Sequence, residues 1–418
     1  MKAKDMDEAK ASRNEMVFAV IGLMFFNGVS TFLERAFDAG IGNQLSELAV
    51  SFVRYTVFIG SFIMLLQRWR SSLKTILRGG WVWGLILLMA ASFTWAENPA
   101  VVFTGVRAEV LPTVCFGLYL ATNFTVTEQF KAIMWALSIS IFLSILLAFV
   151  SPGLAFEPLN STHPGAWKGI YSHKNDFSAY MVLTAAVLFN AAVYAKQKQV
   201  LKWSLFACCI GAIILANSAT GLVLSMAAVI ITLVFRSFHW RGIRSVFLSM
   251  LSLFVGGGFV LFIINAWNPI MTSLGRDPTL TARTLIWDFL IDYKIPNSPI
   301  LGYGRGMFWS SPSLPGGIEQ AAFHVPAHAH NGFIDLVLDV GLVGLFFFVV
   351  AFIIAYAKAW RLSYLNKGKA AYQWPIVFLN LLILSNYTES FLTRLANIFW
   401  VLFITMVFTL NRENPSNL

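Results

Sequence analysis

The feature that most constrains this chain is the recurrence of long apolar runs along its length. Each run has roughly 17 to 25 residues, the length that an α-helix needs to cross about 30 Å of hydrocarbon. Of the 418 residues, 57% are hydrophobic and only 12% are charged, whereas about a quarter are charged in a typical soluble domain. An open sheet would leave backbone groups unpaired in lipid. The sequence therefore predicts an all-α polytopic integral membrane protein.

About twelve of these runs are predicted to span the bilayer as a single transmembrane domain over residues 1–418. About two thirds of the Lys and Arg residues fall on the side that carries both chain ends, which makes that side cytoplasmic. Two long connections then lie outside, 151–174 and the large periplasmic loop 266–331. The predicted spans are 16–33, 45–66, 80–96, 104–122, 129–150, 175–195, 200–217, 219–235, 245–265, 332–357, 373–388 and 394–411.

Composition and spacing exclude several other classes of protein. The formal net charge is +10, but the basic residues form short clusters between apolar runs, which indicates membrane orientation rather than nucleic-acid binding. Cys115, Cys208 and Cys209 all fall inside predicted spans, so neither a disulfide framework nor a zinc site is indicated. The sequence has no HExxH motif or carboxylate cluster. We therefore expect no metal and no cofactor.

Residues 281–295 of the outer loop are predicted to form an amphipathic helix that ends before Pro296. Arg283 lies at the margin of its apolar face, and Trp287 rather than a carboxylate follows one turn later, so no local acid neutralises the guanidinium. Two interpretations remain open: Arg283 meets an external anion, or it pairs with an acid that is distant in sequence. The apolar face consists of Ile286, Phe289, Leu290 and Tyr293.

A histidine stands at the water boundary where the tenth span begins. His330, Gly341 and Gly344 share one face of the predicted helix, and small residues there let a neighbouring helix approach closely. Asn331 is placed to cap the helix, which leaves free amides near an anionic ligand. The alternative is that His330 only anchors the helix end at the interface. His328 is a second candidate in the same segment.

Two acids fall inside the tenth span, where a carboxylate is costly without a partner. Asp335 and Asp339 lie on a different face from His330, and Arg54 and Arg107 are their candidate partners. Nearby, the G-x-G-x-G pattern at 302–306 follows no strand and opens no helix, which excludes a dinucleotide fingerprint. It predicts a tight turn, with Arg305 as a weaker candidate for phosphate binding.

The sequence resembles the superfamily of O-antigen ligases and polysaccharide polymerases. Its signature of His-Asn, nine residues, Gly, two residues and Gly is satisfied by His330, Asn331, Gly341 and Gly344. Ser-His-Lys-Asn at 172–175 and Gly-Arg-Gly-Met-Phe-Trp at 304–309 are most similar to the branch of exopolysaccharide polymerases. Further matches, in the expected order, are 92–99, 169–175, 281–287 and 301–304.

The resemblance implies a metal-independent, inverting glycosyltransferase of the membrane-embedded C type in the bacterial inner membrane. Its donor would be a glycan on undecaprenyl pyrophosphate at the periplasmic face, and its acceptor a second glycan, free or lipid-linked. Arg283 matches the arginine that holds pyrophosphate, and His330 the histidine that serves the acceptor hydroxyl. Polysaccharide export or chain-length proteins are further partners that it implies.

One departure from the superfamily concerns a second pyrophosphate contact. Many members have a basic residue after the serine that opens the eighth span, where this chain has Ser218-Ala219-Thr220-Gly221. Lys174 and Arg305 are the candidates to replace it. Asn331 would orient His330 or cap its helix, and His173 and Asn175 are expected to line the same cavity.

Two alternatives to a polymerase stay open. An O-antigen ligase that transfers glycan to lipid A-core shares the same His-Asn motif. A polytopic transporter or flippase would instead use Arg54, Arg107, Asp335 and Asp339 as its pathway. The concentration of polar residues at the outer boundary, rather than at mid-membrane, favours the enzyme.

Overall fold

The computed structural model describes residues 11–38, 43–161, 163–237, 283–311, 313–319, 326–394 and 396–412. In those ranges regular structure is helical, apart from an isolated β-bridge between Phe156 and Trp167. The predicted all-α polytopic membrane class is therefore confirmed. The helices are α1 Arg13–Met24, α2 Ser30–Asp38, α3 Asn43–Gln67, α4 Trp69–Leu77, α5 Val82–Ala91, α6 Pro99–Gly105, α7 Leu111–Asn123, α8 Val126–Val150, α9 Pro152–Ala155, α10 Lys174–Val193, α11 Gln199–Leu215, α12 Ala219–Ser237, α13 Arg283–Phe289, α14 Met307–Ser310, α15 Gly332–Leu365, α16 Ala370–Asn386 and α17 Ile398–Arg412.

The number of spans is lower than predicted in the part of the chain that the structure describes. Seven helices there are long and apolar enough to cross a membrane, or eight if α4 and the bent segment after it form one span. Helices α11, α16 and α17 coincide with predicted spans but have only 17, 17 and 15 residues. The predicted span 245–265 lies outside the described residues. Twelve spans are therefore not confirmed, although each of the other predicted spans contains a helix. The seven are Arg13–Ala36, Leu45–Gln67, Pro99–Asn123, Val126–Val150, Lys174–Val193, Ala219–Ser237 and Gly332–Leu365.

Polar caps fix where two important helices begin. The side-chain oxygen of Asn331 accepts hydrogen bonds from the backbone N–H groups of Phe333 and Ile334, at 3.0 and 3.3 Å, and so starts α15. The Nδ1 atom of His173 accepts from the N–H of Asn175 at 3.2 Å and starts α10. These caps satisfy amide groups that have no partner inside the helix. Both helices begin at one face of the molecule, which we call the site face.

The core lies around α10, α16 and α17, which are surrounded by other helices. Helix α10 packs against α8, α11, α12 and α16. Buried rings join these helices, and the ring centroids of Phe391 and Phe399 are only 4.1 Å apart. Large apolar side chains such as Phe52, Phe103 and Phe149 remain exposed on the outer helices. These side chains are the surface that hydrocarbon would cover in a membrane.

The two described ends of the chain lie together at the opposite face, which we call the terminal face. Near the start, Glu15 forms an ion pair of 2.9 Å with Arg68. At the far end, Arg412 donates to the carbonyl of Thr122 at 3.0 Å, and its own carbonyl accepts from Arg78 at 3.0 Å.

Two glycine positions bend the helices that border the cavities. Gly80, with φ of +62°, lies in the corner where the chain turns by 91° between α4 and α5. Gly341, with φ of +66°, kinks α15, and a Cβ there would lie 2.1 Å from the carbonyl oxygen of Ile300. Residues other than glycine rarely adopt such backbone angles. The kink at Gly341 thus lets the outer loop pack directly on α15.

Candidate functional site

Helix α13 holds Arg283 in its first turn and packs against the segment that precedes α15. Ile286 is buried, and the indole nitrogen of Trp287 donates a hydrogen bond of 2.8 Å to the carbonyl of Ala329. This contact fixes the distance between Arg283 and the His-Asn motif, which begins one residue after Ala329. Residues 281–282 of the predicted helix lie outside the described residues.

The later part of the predicted amphipathic helix departs from the expected pattern. Tyr293, placed by periodicity on the apolar face, is 64% exposed. The reason is that α13 continues as a π-helical turn over Leu290–Lys294, whose wider winding rotates the following side chains around the axis. Leu290, at the start of that turn, keeps its predicted buried position.

Arg283 and His330 meet at one carboxylate, that of Glu389. The guanidinium of Arg283 lies 3.2 Å from Oε1 of Glu389 and also donates to the carbonyl of Thr388. Nδ1 of His330 lies 3.4 Å from Oε2 of the same side chain. Of the two open interpretations for Arg283, the structure therefore shows pairing with an acid distant in sequence. That acid also binds the histidine of the motif.

The charge state of Glu389 fixes the proton on His330. Burial would raise the pKa of Glu389, but the hydrogen bond with His330 and the positive charge of Arg283 outweigh it and hold the pKa at about 2. An ionised carboxylate can only accept hydrogen bonds. Nδ1 of His330 must then carry the hydrogen of this contact, and Nε2 is the ring nitrogen that Glu389 does not engage. The His330 side chain is 26% exposed.

Next to this pair, a second histidine is bound by a second arginine. The rings of His328 and His330 have centroids 4.1 Å apart, and Arg394 contacts Nε2 of His328. Arg394 also forms an ion pair of 2.7 Å with Asp176. Burial and the charge of Arg394 lower the pKa of His328 to about 2. His328 is therefore neutral at physiological pH.

The same residues include the one described cluster with the spacing of a metal site. The ligand atoms of His328, His330 and Glu389 lie within 4.8 Å of one another. Arg283 and Arg394, however, already contact Glu389 and His328. The remaining nitrogen of His328 faces the backbone N–H of His330 at 3.2 Å. A metal ion would have to displace or lie beside two guanidinium groups, so the donor set fits a cation poorly.

Two separate cavities are lined by members of this cluster. A narrow polar cleft of about 40 Å³ is lined by Arg283, Glu389 and Asn175 and by the hydroxyl groups of several serines and threonines. A larger chamber of about 540 Å³ is lined by His328, Arg394 and Asp176. His330 contacts Glu389 in the wall of the cleft and His328 in the wall of the chamber, but it is not itself a lining residue of either cavity. The other polar residues of the cleft are Ser178, Ser218, Thr220, Ser385 and Thr388.

The remaining predicted residues lie at the start of α10, and one of them reaches the cleft. Asn175 is a lining residue of the cleft. The ammonium of Lys174 donates to the carbonyl of Asn217 at 3.1 Å, immediately before Ser218. Lys174 therefore lies beside the position where the superfamily's basic residue is missing. His173, besides capping α10, has its Nε2 3.8 Å from Glu157 and is not a lining residue of either cavity.

Arg305 lies in the chamber in a different environment. Its guanidinium binds Asp339 at 3.1 Å and Glu109 at 2.6 Å, and it also donates to the carbonyl of Thr393. The G-x-G-x-G segment forms the predicted turn, and the backbone N–H of Tyr303 donates to α15 near its kink. Two carboxylates neutralise Arg305, so it offers an incoming phosphate less charge than Arg283 does.

The partners expected for the two acids of α15 are wrong. Arg305, rather than Arg54 or Arg107, binds Asp339. Asp335 accepts hydrogen bonds from the indole of Trp309 at 2.7 Å and from the backbone N–H of Ala329 at 3.1 Å. The acids therefore hold the outer loop to α15.

Glu389 and Arg394 are the site residues that the sequence interpretation missed. Glu389 lies between the last two predicted spans and Arg394 is the first residue of the last one, at an outer boundary that looked like a plain connection. A usable signal existed, because an acid and a base stand five residues apart in a connection at the outer boundary. Neither belongs to a motif, and their neighbours in space come from segments far away along the chain.

The fold and the site thus define a polytopic α-helical membrane protein with a charged, histidine-containing cluster at one face. A family model described as O-Antigen ligase matches residues 204–349. The exopolysaccharide production protein ExoQ of Rhizobium meliloti (strain 1021) is 22% identical over 290 residues, which cover 66% of this chain and 64% of ExoQ. The chain therefore aligns with somewhat less than two thirds of that relative. The two matches confirm the predicted similarity to the superfamily of O-antigen ligases and polysaccharide polymerases.

Proposed function

We propose that this protein transfers a glycan from undecaprenyl pyrophosphate to the hydroxyl of a second glycan at the periplasmic face of the inner membrane. The observation that carries the proposal is the shared carboxylate: Glu389 binds Arg283 through one oxygen and His330 through the other. The candidate anion-binding group and the candidate base are thereby held at a fixed separation. The cleft is lined by Arg283 and Glu389, and the chamber by His328, the neighbour of His330.

In the proposed reaction, the acceptor oxygen attacks the anomeric carbon while the bond from that carbon to the pyrophosphate oxygen breaks. The proton of the hydroxyl goes to Nε2 of His330, the nitrogen that Glu389 leaves free. The electron pair of the broken bond leaves with undecaprenyl pyrophosphate. Attack from the side opposite the leaving group inverts the anomeric configuration.

The leaving group gains negative charge as the bond breaks, and fixed cations stabilise it. Arg283 is the first such cation, since it retains N–H groups beyond those that bind Glu389 and Thr388. Lys174 is the second, because of its place beside Ser218. Arg394 adds positive charge on the chamber side. With Arg283 and Arg394 on Glu389 and His328, we propose that the reaction needs no metal.

The large chamber is the proposed acceptor site. Its volume lies in the range of about 300–1,000 Å³ that small-molecule sites have. Its wall combines the ring of Trp309 and the hydroxyl of Tyr180 with several carboxylates. Such groups can bind sugar hydroxyls and apolar sugar faces. Similarity to an exopolysaccharide production protein supports an acceptor that is a growing lipid-linked glycan rather than lipid A-core.

The experiment that tests the proposal is reconstitution of the purified protein in proteoliposomes with an undecaprenyl-pyrophosphate-linked oligosaccharide and a chelator. We expect a ladder of longer glycans on a gel. His330→Ala should reduce chain growth by a factor of about 10² to 10⁴, the usual contribution of a general base. The matched control is His163→Ala, a histidine of the other outer connection. Wild-type chain growth by His330→Ala would contradict the proposal, and transfer only to lipopolysaccharide core would make the protein a ligase.

A further inference from the structure

A third polar cavity lies on the terminal face, far from the cluster around Glu389. It has a volume of about 360 Å³ and occupies the corner between α4 and α5, closed by α15 and α17. Lys358 in its wall lies 26 residues along α15 from Gly332, which at 1.5 Å per residue is about 39 Å. This distance spans the whole bilayer core of about 30 Å. The cavity is therefore separate from the proposed catalytic site.

The charge that faces this cavity is positive. Arg78 and Lys358 both line it, and none of the described residues in its wall has a carboxylate. Arg78 donates to the carbonyl of Arg412 at 3.0 Å, and Lys358 to the amide oxygen of Asn411 at 2.7 Å. Both contacts are to neutral oxygens, so the two cations repel each other across the cavity. An anion between them would remove that repulsion and accept charge-assisted hydrogen bonds.

The surroundings of the cavity are those of a membrane boundary. Helix α4 exposes Trp69, Leu73 and Leu77 beside Arg70 and Lys74, a composition typical of a helix that lies in the interface plane. The chain then turns by 91° and descends as α5.

An apolar surface leads away from the cavity along α5 and α15. Trp81, in the cavity wall, is 46% exposed and packs its ring against that of Phe346, with centroids 5.9 Å apart. Leu87, Leu342 and Ile353 are exposed further along the same two helices. A basic cavity that continues into an exposed apolar surface matches a molecule with a charged head and apolar chains better than a small soluble anion.

We propose that this cavity binds the phosphate of an anionic phospholipid, with the headgroup between Arg78 and Lys358 and an acyl chain along α5 and α15. Basic pockets between transmembrane helices are known to bind acidic lipid headgroups. The polar volume accommodates a headgroup, and the exposed Trp81 ring marks the level of the headgroups. The site would anchor the corner between α4 and α5 to the lipid and does not depend on the proposed enzymatic function.

The test measures binding of phosphatidylglycerol to the purified, delipidated full-length protein in detergent by native mass spectrometry. Phosphatidylcholine with the same acyl chains and inorganic phosphate are the comparison ligands. The double variant Arg78→Gln/Lys358→Gln removes both cations, and Arg78→Lys/Lys358→Arg retains them. The matched control is Arg70→Gln, an exposed cation of the same helix whose guanidinium lies 5.4 Å from the ring of Trp69, outside the cavity.

We expect the double Gln variant to bind phosphatidylglycerol about tenfold more weakly, since each cation near an anionic headgroup contributes a severalfold increase in affinity. The charge-retaining variant and Arg70→Gln should bind as the wild type does. Undiminished binding by a double Gln variant that unfolds at the wild-type temperature would overturn the proposal. Inorganic phosphate binding as tightly as the lipid would also overturn it, because the occupant would then be a soluble anion. If the double variant does not fold, Lys358→Gln alone must show the loss.

Discussion

Two buried arginines on the site face, Arg283 and Arg305, have the same side chain and different surroundings. Their side chains are 12% and 8% exposed, so burial does not distinguish them. Arg283 shares its one carboxylate, Glu389, with His330, whereas Arg305 lies between Glu109 and Asp339. An anion that approaches Arg283 meets a guanidinium group that a single carboxylate balances. At Arg305 the same anion meets an excess of negative charge.

The number of carboxylates around a buried arginine therefore distinguishes a side chain that can bind an external anion from one that only holds parts of the fold together. Arg305 joins the outer loop to α15 and the region of α6, and its replacement should disturb the fold. Arg283 joins the outer loop to Glu389 and the histidine motif, and its replacement should disturb the proposed chemistry.

Arg305→Met should lower the free energy of unfolding by about 3–5 kcal/mol, because it leaves the carboxylates of Glu109 and Asp339 without their shared cation. Thermal unfolding in detergent measures the effect. Addition of Asp339→Asn should recover part of the loss, since one of the two stranded charges disappears. Arg305→Lys, which retains a positive charge, is the control. An Arg305→Met protein that unfolds at the wild-type temperature would remove the proposed structural role.

Arg283→Gln should reduce chain growth by a factor of about 10² to 10³, the usual cost of one lost contact to a charged transition state. The protein should still fold, because Glu389 keeps His330 as a partner and Arg394 nearby. Arg283→Lys keeps the charge but loses the planar fork of the guanidinium, so its rate of chain growth should lie between those of the wild type and Arg283→Gln. Chain growth in proteoliposomes and thermal unfolding, both measured on the same samples, distinguish a loss of activity from a loss of stability. Equal loss of stability in Arg283→Gln and Arg305→Met, with normal turnover of the folded fraction, would abolish the distinction.

The fold class could be predicted from the sequence because an apolar run long enough to cross the bilayer must form a helix to satisfy its backbone hydrogen bonds. Eleven of the predicted spans contain a helix, while 245–265 lies outside the described residues. The sharp turn at Gly80 was not predicted, because periodicity alone cannot distinguish a straight helix from two that meet at 91°. Hydropathy likewise does not indicate that α17 has only 15 residues.

The site was predictable where residues belong to a motif and not where partners meet only in space. The His-Asn pattern indicated His330 and its capping neighbour Asn331, and the cap is present. Glu389 is 59 residues from His330 and 106 from Arg283. No local spacing rule joins residues so far apart. The expected pairing of Asp339 with Arg54 or Arg107 failed for the same reason, since its partner comes from the outer loop.

Acidification should lower the free energy of unfolding in two steps, because Glu389 and His328 both have lowered pKa values. A group whose pKa is lowered by folding stabilises the folded state fully when the pH is above its unfolded-state pKa. That stability is lost as the pH falls towards its folded-state pKa. His328, with a pKa of about 2 against 6.5, should begin to destabilise the fold below pH 6.5. Glu389, with a pKa of about 2 against 4.5, should do so below pH 4.5, by at most about 3 kcal/mol.

The two steps can be separated by a pair of variants that control for each other. His328→Gln should flatten the dependence of the unfolding temperature on pH between 6.5 and 4.5. Glu389→Gln should flatten it only below 4.5, and should lower stability at neutral pH because Arg283 loses its carboxylate. A pH dependence that neither variant changes would show that other groups control acid unfolding and that this cluster is not coupled to it.

The smallest expected effect concerns Asn331, for which capping and orientation of His330 were both predicted roles. Its side-chain oxygen accepts from the N–H groups of Phe333 and Ile334, so Asn331→Ala should lower the free energy of unfolding by about 1 kcal/mol. Asn331→Asp keeps an oxygen in the same place and adds a negative charge at the start of α15, which favours the helix. Capping alone therefore predicts that Asn331→Asp has wild-type stability and chain growth. If Asn331→Asp has wild-type stability but reduced chain growth, Asn331 also positions His330. The residues that orient His330 would then include Asn331 as well as Glu389.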